Sequence, residues 1–317
     1  MLQYLIILLD DKSCSYCHYE NTKTESRLIP FETLRQAIRF GMMENLMIQF
    51  VYPDYELPNK YKETIDCIDH SDIVSSLCED ENLRKNADII VFHDWTGLDY
   101  YSFDAEKAYV LRTSKADFFE RYLLLNDVLG KVGRLNVVFT DVDTFTDSDF
   151  EKYKQSLSML AAKVESLYVE GKSPQLNLLT DRMMLSQMNN CNAGWENITL
   201  APDGKFYVCP AFYLEQAYNI GTLEERLDIK NPQLYRLDHA PICRHCDAYQ
   251  CKRCIWLNRK MTLEVNTPSR EQCVMAHLER NASRELLQSI RQHGTFLPET
   301  EITNIDYLDP FDKREEW

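Results

Sequence analysis

The segment most informative about the fold is Leu2-Gln-Tyr-Leu-Ile-Ile-Leu-Leu-Asp-Asp-Lys-Ser-Cys-Ser-Tyr-Cys17, an apolar run followed by two acidic residues and a short polar loop. The apolar run is far shorter than the roughly 18 residues needed to span a bilayer, and it lacks the basic start of a secretory signal. It therefore predicts a buried strand over 2–9, followed by a loop that holds Cys14 and Cys17. We expect a cytoplasmic protein with no membrane partner.

Strand-like and helix-like segments alternate through the first half of the chain. The predicted strands span 2–9, 46–51, 87–92, 108–111 and 136–139, and the predicted helices span 31–44, 61–68, 116–129 and 148–168. Repeated β-then-α order predicts parallel strands covered by helices, which is an α/β fold of sheet or barrel type. Functional loops in such folds follow the C-terminal ends of the strands, and the loop with Cys14 and Cys17 follows the first strand.

The composition excludes one class of partner and suggests one class of chemistry. The chain has 317 residues, with 35 Lys and Arg against 50 Asp and Glu, and a formal net charge of −15. Such an acidic balance argues against a nucleic-acid partner, whose phosphates would need to be neutralised. The 11 cysteines are many for a cytosolic protein, where disulfides are rare, and they indicate metal or redox chemistry.

Seven of these cysteines lie in the last third of the chain. Four are closely spaced in Cys243-Arg-His-Cys246-Asp-Ala-Tyr-Gln-Cys251-Lys-Arg-Cys254. The other three are Cys191, Cys209 and Cys273. Seven thiols exceed the four ligands of one closed zinc site, and cubane iron–sulfur clusters also take thiolate ligands. We favour two iron–sulfur clusters, while structural zinc and thiols that only pack in the core stay open as alternatives.

The chain changes character after about residue 185. Segments 197–200 and 205–208 flank Asp203-Gly204, a dipeptide typical of a β-hairpin turn, and a helix is predicted over 271–292. We therefore predict three regions: an α/β domain over 1–185, a small cysteine-rich domain over 186–294, and an acidic, loosely ordered C-terminal tail over 295–317.

The cysteine-rich region resembles the SPASM domain of radical SAM peptide and protein maturases, a family that includes anaerobic sulfatase-maturating enzymes. The resemblance rests on the seven cysteines, on Gly204 before Cys209, and on the segments 198–210 and 219–223. It implies one auxiliary [4Fe-4S] cluster on Cys191, Cys209 and Cys254. It implies a second on Cys243, Cys246, Cys251 and Cys273. The last two gaps of the central run hold four and two residues, one fewer each than the family pattern.

The same resemblance implies that the upstream α/β domain is a partial (β/α) barrel of radical SAM type. A third cluster would then follow the first strand, where the family uses three cysteines and binds S-adenosylmethionine. This chain offers Asp10, Cys14 and Cys17, and a carboxylate is a harder donor than a thiolate. Tyr52 and Pro53 stand where the family has a glycine pair that approaches the cofactor. Both replacements argue against the third cluster and against S-adenosylmethionine.

The resemblance implies an iron–sulfur protein that takes part in modifying a short, ribosomally synthesised, cysteine-containing peptide. Within the family the chain most resembles maturases paired with CXXX-repeat peptides. Its partners would be the precursor peptide and an electron donor. Two alternatives stay open: a catalytically inactive partner that presents the peptide to a separate radical SAM enzyme, and a zinc-stabilised interaction module.

Overall fold

The computed structural model describes residues 2–225 and 227–312. The chain divides into two compact units, each built from two separate stretches of sequence. Unit 1 comprises Met1–His93 and Cys191–Ala240, and unit 2 comprises Asp94–Asn190 and Pro241–Trp317. The domain boundaries at residues 185 and 294 remain predictions, and the last five residues of the expected tail lie outside the described part.

Strands and helices alternate along the described chain. The strands are β1 (Tyr4–Leu8), β2 (Met47–Val51), β3 (Ser71–Ser75), β4 (Ile89–Phe92), β5 (Ala108–Thr113), β6 (Arg134–Phe139), β7 (Gln175–Leu176), β8 (Asn197–Leu200) and β9 (Phe206–Tyr207). The α-helices are α1 (Phe31–Met43), α2 (Asn59–Ile65), α3 (Glu81–Asn86), α4 (Lys115–Arg121), α5 (Leu125–Leu129), α6 (Asp147–Val169), α7 (Asp181–Met184), α8 (Pro210–Leu214), α9 (Ile255–Thr262) and α10 (Arg270–Ile290). None of the helices in these described ranges is long and apolar enough to cross a membrane.

Unit 1 is organised around β1, as its apolar sequence predicts. The strand order in this unit is β4-β3-β2-β1-β8-β9, and β1 pairs in parallel with both β2 and β8. Leu5 and Ile7 of β1 are fully buried, as is Phe50 of β2. A parallel strand that is flanked on both edges and covered by α1 needs apolar residues on both faces, which explains the unbroken run.

The predicted hairpin is present at the edge of this arrangement. β8 and β9 are antiparallel, with Leu200 paired to Phe206, and Gly204 adopts a positive φ of 77°. The Asp203 carboxylate accepts a hydrogen bond from the Lys205 backbone N–H at 3.1 Å. The Asp-Gly turn therefore forms as its sequence predicts.

Unit 2 contains the parallel strands β5, β6 and β7 and the two longest helices, α6 and α10. Thr146 and Asp149 form a capping box at the start of α6. Ser269 and Gln272 form the equivalent box at the start of α10.

Several expectations about single elements are wrong. The helix predicted over 116–129 is divided into α4, a short 3₁₀ turn and α5, and Leu123, in the turn, is half exposed rather than part of an apolar face. β3 was not predicted because only Ile73 and Val74 of its five residues are apolar. Within the expected tail, Ile302 and Asp309 are both buried, which the acidic composition of the segment did not indicate.

Candidate metal centres

Four cysteines of unit 2 line a single cavity of about 110 Å³. They are the set that the resemblance assigns to one auxiliary cluster, Cys243, Cys246, Cys251 and Cys273. His245 and His277 also line this cavity. The structure therefore brings together four thiols that span about thirty residues of sequence, together with two imidazoles.

Tight turns and one helix start position these thiols. The Cys246 backbone N–H donates to the Cys243 carbonyl at 3.1 Å, and the Cys251 backbone N–H donates to the Ala248 carbonyl at 2.9 Å. Cys273 lies in the first turn of α10, directly after the Ser269 cap. Turns with such short hydrogen-bonded spacing allow residues three to five apart to face the same cavity.

Burial raises the pKa of every thiol in the cavity. The pKa of Cys243 is raised to about 11, and those of Cys251 and Cys273 are raised further, first by burial and then by the negative charges of the neighbouring thiolates. The pKa of Cys246 is also raised, chiefly by burial. Four neighbouring thiolates without a cation would repel one another, whereas a bound metal would stabilise the deprotonated forms.

Backbone amides and one imidazole contact the sulfur atoms. The Ala248 N–H donates to the Cys246 Sγ and the Arg253 N–H donates to the Cys251 Sγ, each at 3.4 Å. The His277 Nε2 lies 3.5 Å from the Cys246 Sγ, while its Nδ1 contacts the Leu308 carbonyl oxygen. A carbonyl oxygen only accepts, so Nδ1 carries the proton, and burial lowers the pKa of His277 towards the neutral form. Its Nε2 lone pair then faces the cavity.

Cationic side chains surround the same thiols. Arg253 is buried, and its charge opposes the rise in the pKa of Cys243. The charges of Arg182 and Arg280 likewise oppose the rise in the pKa of Cys246. Both side chains also bind the Asp247 carboxylate, with Arg280 Nε at 2.6 Å from Asp247 Oδ1. Such cations lower the electrostatic cost of an anionic cluster. Arg253 lies within the cysteine run, whereas Arg182 and Arg280 are remote from it in sequence, and no local pattern points to them.

Unit 1 contains a second group of thiols, gathered around Tyr16. Burial raises the pKa of Tyr16, and the charges of Cys17, Cys209, Cys191 and Cys14 raise it further. The pKa of Cys209 is raised by burial and then by Cys191 and Cys17. The structure thus brings Cys17 near the pair Cys191 and Cys209, a grouping that the sequence did not predict. Cys254 belongs to unit 2, where it precedes α9.

Asp10 is fully buried, and its carboxylate is occupied by protein donors. Its Oδ2 accepts hydrogen bonds from the Tyr55 hydroxyl at 2.9 Å and the Ser26 hydroxyl at 2.8 Å, and its Oδ1 accepts from the Lys12 N–H at 2.7 Å. The Cys14 Sγ lies 3.8 Å from the Ile73 carbonyl oxygen. Asp10 therefore serves as a hydrogen-bond acceptor in the loop after β1, and the set Asp10, Cys14 and Cys17 fits the third cluster poorly.

Tyr52 fills the place where the family has glycine. Its side chain is buried, and burial together with a hydrogen bond to Asp72 raises its pKa. A buried phenol at this position removes the open backbone that the family presents to its cofactor.

Within residues 2–225 and 227–312, no three His, Cys, Asp or Glu side chains converge closely enough for one metal ion.

These features define a class of fold, a radical SAM-like α/β chain. Similar solved structures include those of anSMEcpe, a radical SAM/SPASM sulfatase maturase. A hexahistidine-tagged form with bound AdoMet matches with a TM-score of 0.63 and 12% sequence identity over 92% of this chain and 100% of that chain. A native form with bound AdoMet and Cp18Cys peptide matches with a TM-score of 0.59 and 12% identity, over the same shares of the two chains.

No protein-family model matches the chain, and no curated protein matches it. A likeness at 12% identity shows the fold alone. The expected radical SAM-like fold is confirmed, and the SPASM assignment of the cysteine-rich region stays a prediction.

Proposed function

We propose that this chain is an iron–sulfur protein in which Cys243, Cys246, Cys251 and Cys273 hold a [4Fe-4S] cluster. The observation that carries the proposal is the cavity that these four thiols line together. The donor set fits the group, because the sulfurs accept amide hydrogen bonds and cationic side chains lie near them. Such contacts stabilise thiolates and tune the potential of a cluster.

Zinc is the alternative occupant of this cavity. A closed zinc site needs four sulfurs at about 2.3 Å from one point, whereas a cubane cluster occupies a space between separated sulfurs. The cavity of about 110 Å³ that the four thiols help to line leaves space for a group larger than a single ion, which favours the cluster. Iron is therefore the first choice, with zinc content as the measurement that would reverse it.

A second centre is proposed at Cys191 and Cys209. The resemblance supplies Cys254 as the third ligand, and the arrangement in unit 1 offers Cys17 instead. Three thiolates on a cubane leave one iron open to an outside ligand, which in this proposal is a cysteine of the substrate peptide.

The chain would take part in post-translational modification of a short, ribosomally synthesised, cysteine-containing peptide. Support comes from the shared fold with a maturase that was solved with a bound peptide. The protein donors on Asp10 and the buried Tyr52 count against S-adenosylmethionine cleavage by this chain. A catalytically inactive partner that presents the peptide to a separate radical SAM enzyme stays an alternative.

The test is the iron, sulfide and zinc content of anaerobically purified protein. We expect about eight irons per chain for two cubanes, and about four after Cys246→Ser. Cys67→Ser is the matched control, because that cysteine is exposed and lies outside both thiol groups. About twelve irons per chain would instead indicate a third cluster at Asp10, Cys14 and Cys17. Zinc without iron would refute the proposal.

A further inference from the structure

Unit 1 contains another cavity, of about 430 Å³, whose lining is cationic and aromatic rather than thiol-rich. Lys23, Arg27 and Lys205 line it together with the rings of Tyr207 and Tyr213. We infer that this cavity binds a carboxylate group of an acidic peptide segment. The inference rests on the proposed function in one respect, that the ligand is a peptide.

The Arg27 guanidinium is held in place by protein partners that leave one of its nitrogen atoms available. Its Nε lies 3.2 Å from the Asp11 Oδ2, and its Nη2 donates to the Tyr213 hydroxyl at 2.6 Å. Tyr213 is itself hydrogen-bonded to Asp11, so two linked side chains fix the guanidinium. Its Nη1 has no protein partner in the described part of the chain, and 51% of the side chain is exposed. A fixed guanidinium with a free N–H is suited to a carboxylate.

The two lysines add positive charge without a matching carboxylate. The Lys23 ammonium lies 5.0 Å from the centre of the Tyr213 ring, and neither it nor the Lys205 ammonium forms an ion pair among residues 2–225 and 227–312. Asp203, the carboxylate in the cavity wall, already accepts from the Tyr207 hydroxyl at 2.8 Å. In a chain of net charge −15, this local excess of cations attracts an anion.

The remaining wall favours a peptide over a small inorganic anion. Gln216 and Asn219 line the cavity and offer amide groups, which pair with peptide bonds. Tyr218, also in the lining, is 95% exposed and presents its ring to an incoming chain. Phosphate would use the cations alone, whereas a Glu- or Asp-containing segment uses the cations, the amides and the ring.

The experiment measures binding of a fluorescein-labelled Glu-Gly repeat peptide to the full chain by anisotropy, at low and at physiological salt. We expect the double variant Lys23→Gln with Lys205→Gln to weaken the affinity about tenfold at low salt, because two exposed ion pairs are lost and each contributes modestly. Lys230→Gln is the matched control, since this lysine of unit 1 is 80% exposed and outside the cavity. Its affinity should equal that of the wild type.

Three results would overturn the inference. The first is equal binding of the peptide with Gln in place of Glu, and the second is an equal loss of affinity in Lys230→Gln. The third is displacement of the peptide by inorganic phosphate at lower concentration than by acetylated glutamate. Iron content is measured on the same preparations, so loss of the clusters with retained peptide binding would count against the proposed function and leave this inference standing.

Discussion

Tyr153 of α6 donates its hydroxyl to the Glu279 carboxylate of α10 at 2.7 Å, which links the two longest helices of unit 2 through a titratable pair. Gln250 adds a weaker contact to the same carboxylate at 3.4 Å. Burial outweighs both hydrogen bonds and raises the pKa of Glu279 to about 7. The folded protein therefore holds a proton on Glu279 at pH values where the unfolded chain has released it.

Replacement of Glu279 should change the pH dependence of stability. Because the folded pKa is raised, the native state binds more protons between about pH 4.5 and 7, and the free energy of unfolding falls as pH rises through this window. Glu279→Gln removes that fall while keeping an acceptor for Tyr153. At 1.36 kcal/mol per pKa unit, we expect the free energy of unfolding of the wild type to fall between pH 4.5 and pH 8 by about 2 to 3 kcal/mol more than that of Glu279→Gln.

The measurement is urea unfolding at several pH values under anaerobic conditions. Glu285→Gln is the control, because this glutamate of α10 is 66% exposed and should follow the wild-type profile. Parallel profiles of unfolding free energy against pH for the wild type and Glu279→Gln would contradict a raised pKa of the Glu279 carboxyl.

Asp10 gives a second prediction, in which stability and iron content distinguish a hydrogen-bond acceptor from a cluster ligand. Asp10→Ala leaves the Tyr55 and Ser26 hydroxyls without their acceptor, so we expect a loss of about 1 to 3 kcal/mol in the free energy of unfolding. Asp10→Asn keeps an oxygen acceptor and should lose less. Iron content should be unchanged in both variants, whereas a loss of about four irons would show that Asp10 holds a cluster.

Local periodicity and turn chemistry predicted the strand at β1, the hairpin at Asp203-Gly204 and an α/β fold. The radical SAM-like type of that fold was implied only by the family resemblance. The resemblance also grouped the four cysteines of the unit 2 cavity. The sequence could not group Cys17 with Cys191 and Cys209, because nothing local relates positions so far apart. The parallel pairing of β1 with β8, which joins the two stretches of unit 1, is a tertiary feature without a local signal.

The thiol group around Tyr16 gives a third prediction. Because the charges of Cys17 and Cys191 both act on Cys209, we expect Cys17→Ser and Cys209→Ser each to remove about four irons. Cys78→Ser is a suitable control, because Cys78 is a buried core thiol whose Sγ contacts the Pro53 carbonyl oxygen. Loss of iron in Cys254→Ser but not in Cys17→Ser would instead support the ligand set that the resemblance implies.

Two glycines of unit 2 provide a prediction about packing that is independent of any metal. A Cβ added at Gly133 would overlap the backbone carbonyl oxygen of Ala105, which cannot move aside as a flexible side chain can. We therefore expect Gly133→Ala to lower the free energy of unfolding by about 1 to 3 kcal/mol, the usual cost of overpacking.

Gly130, at the end of α5, provides the matched control. The nearest atom to a Cβ added there is the Asp127 carbonyl oxygen at 3.8 Å, and φ is −73°. Gly130→Ala should be neutral or slightly stabilising in the same urea unfolding measurement, because alanine restricts the unfolded chain. Equal stability of the two variants would refute the close approach of residues 105 and 133.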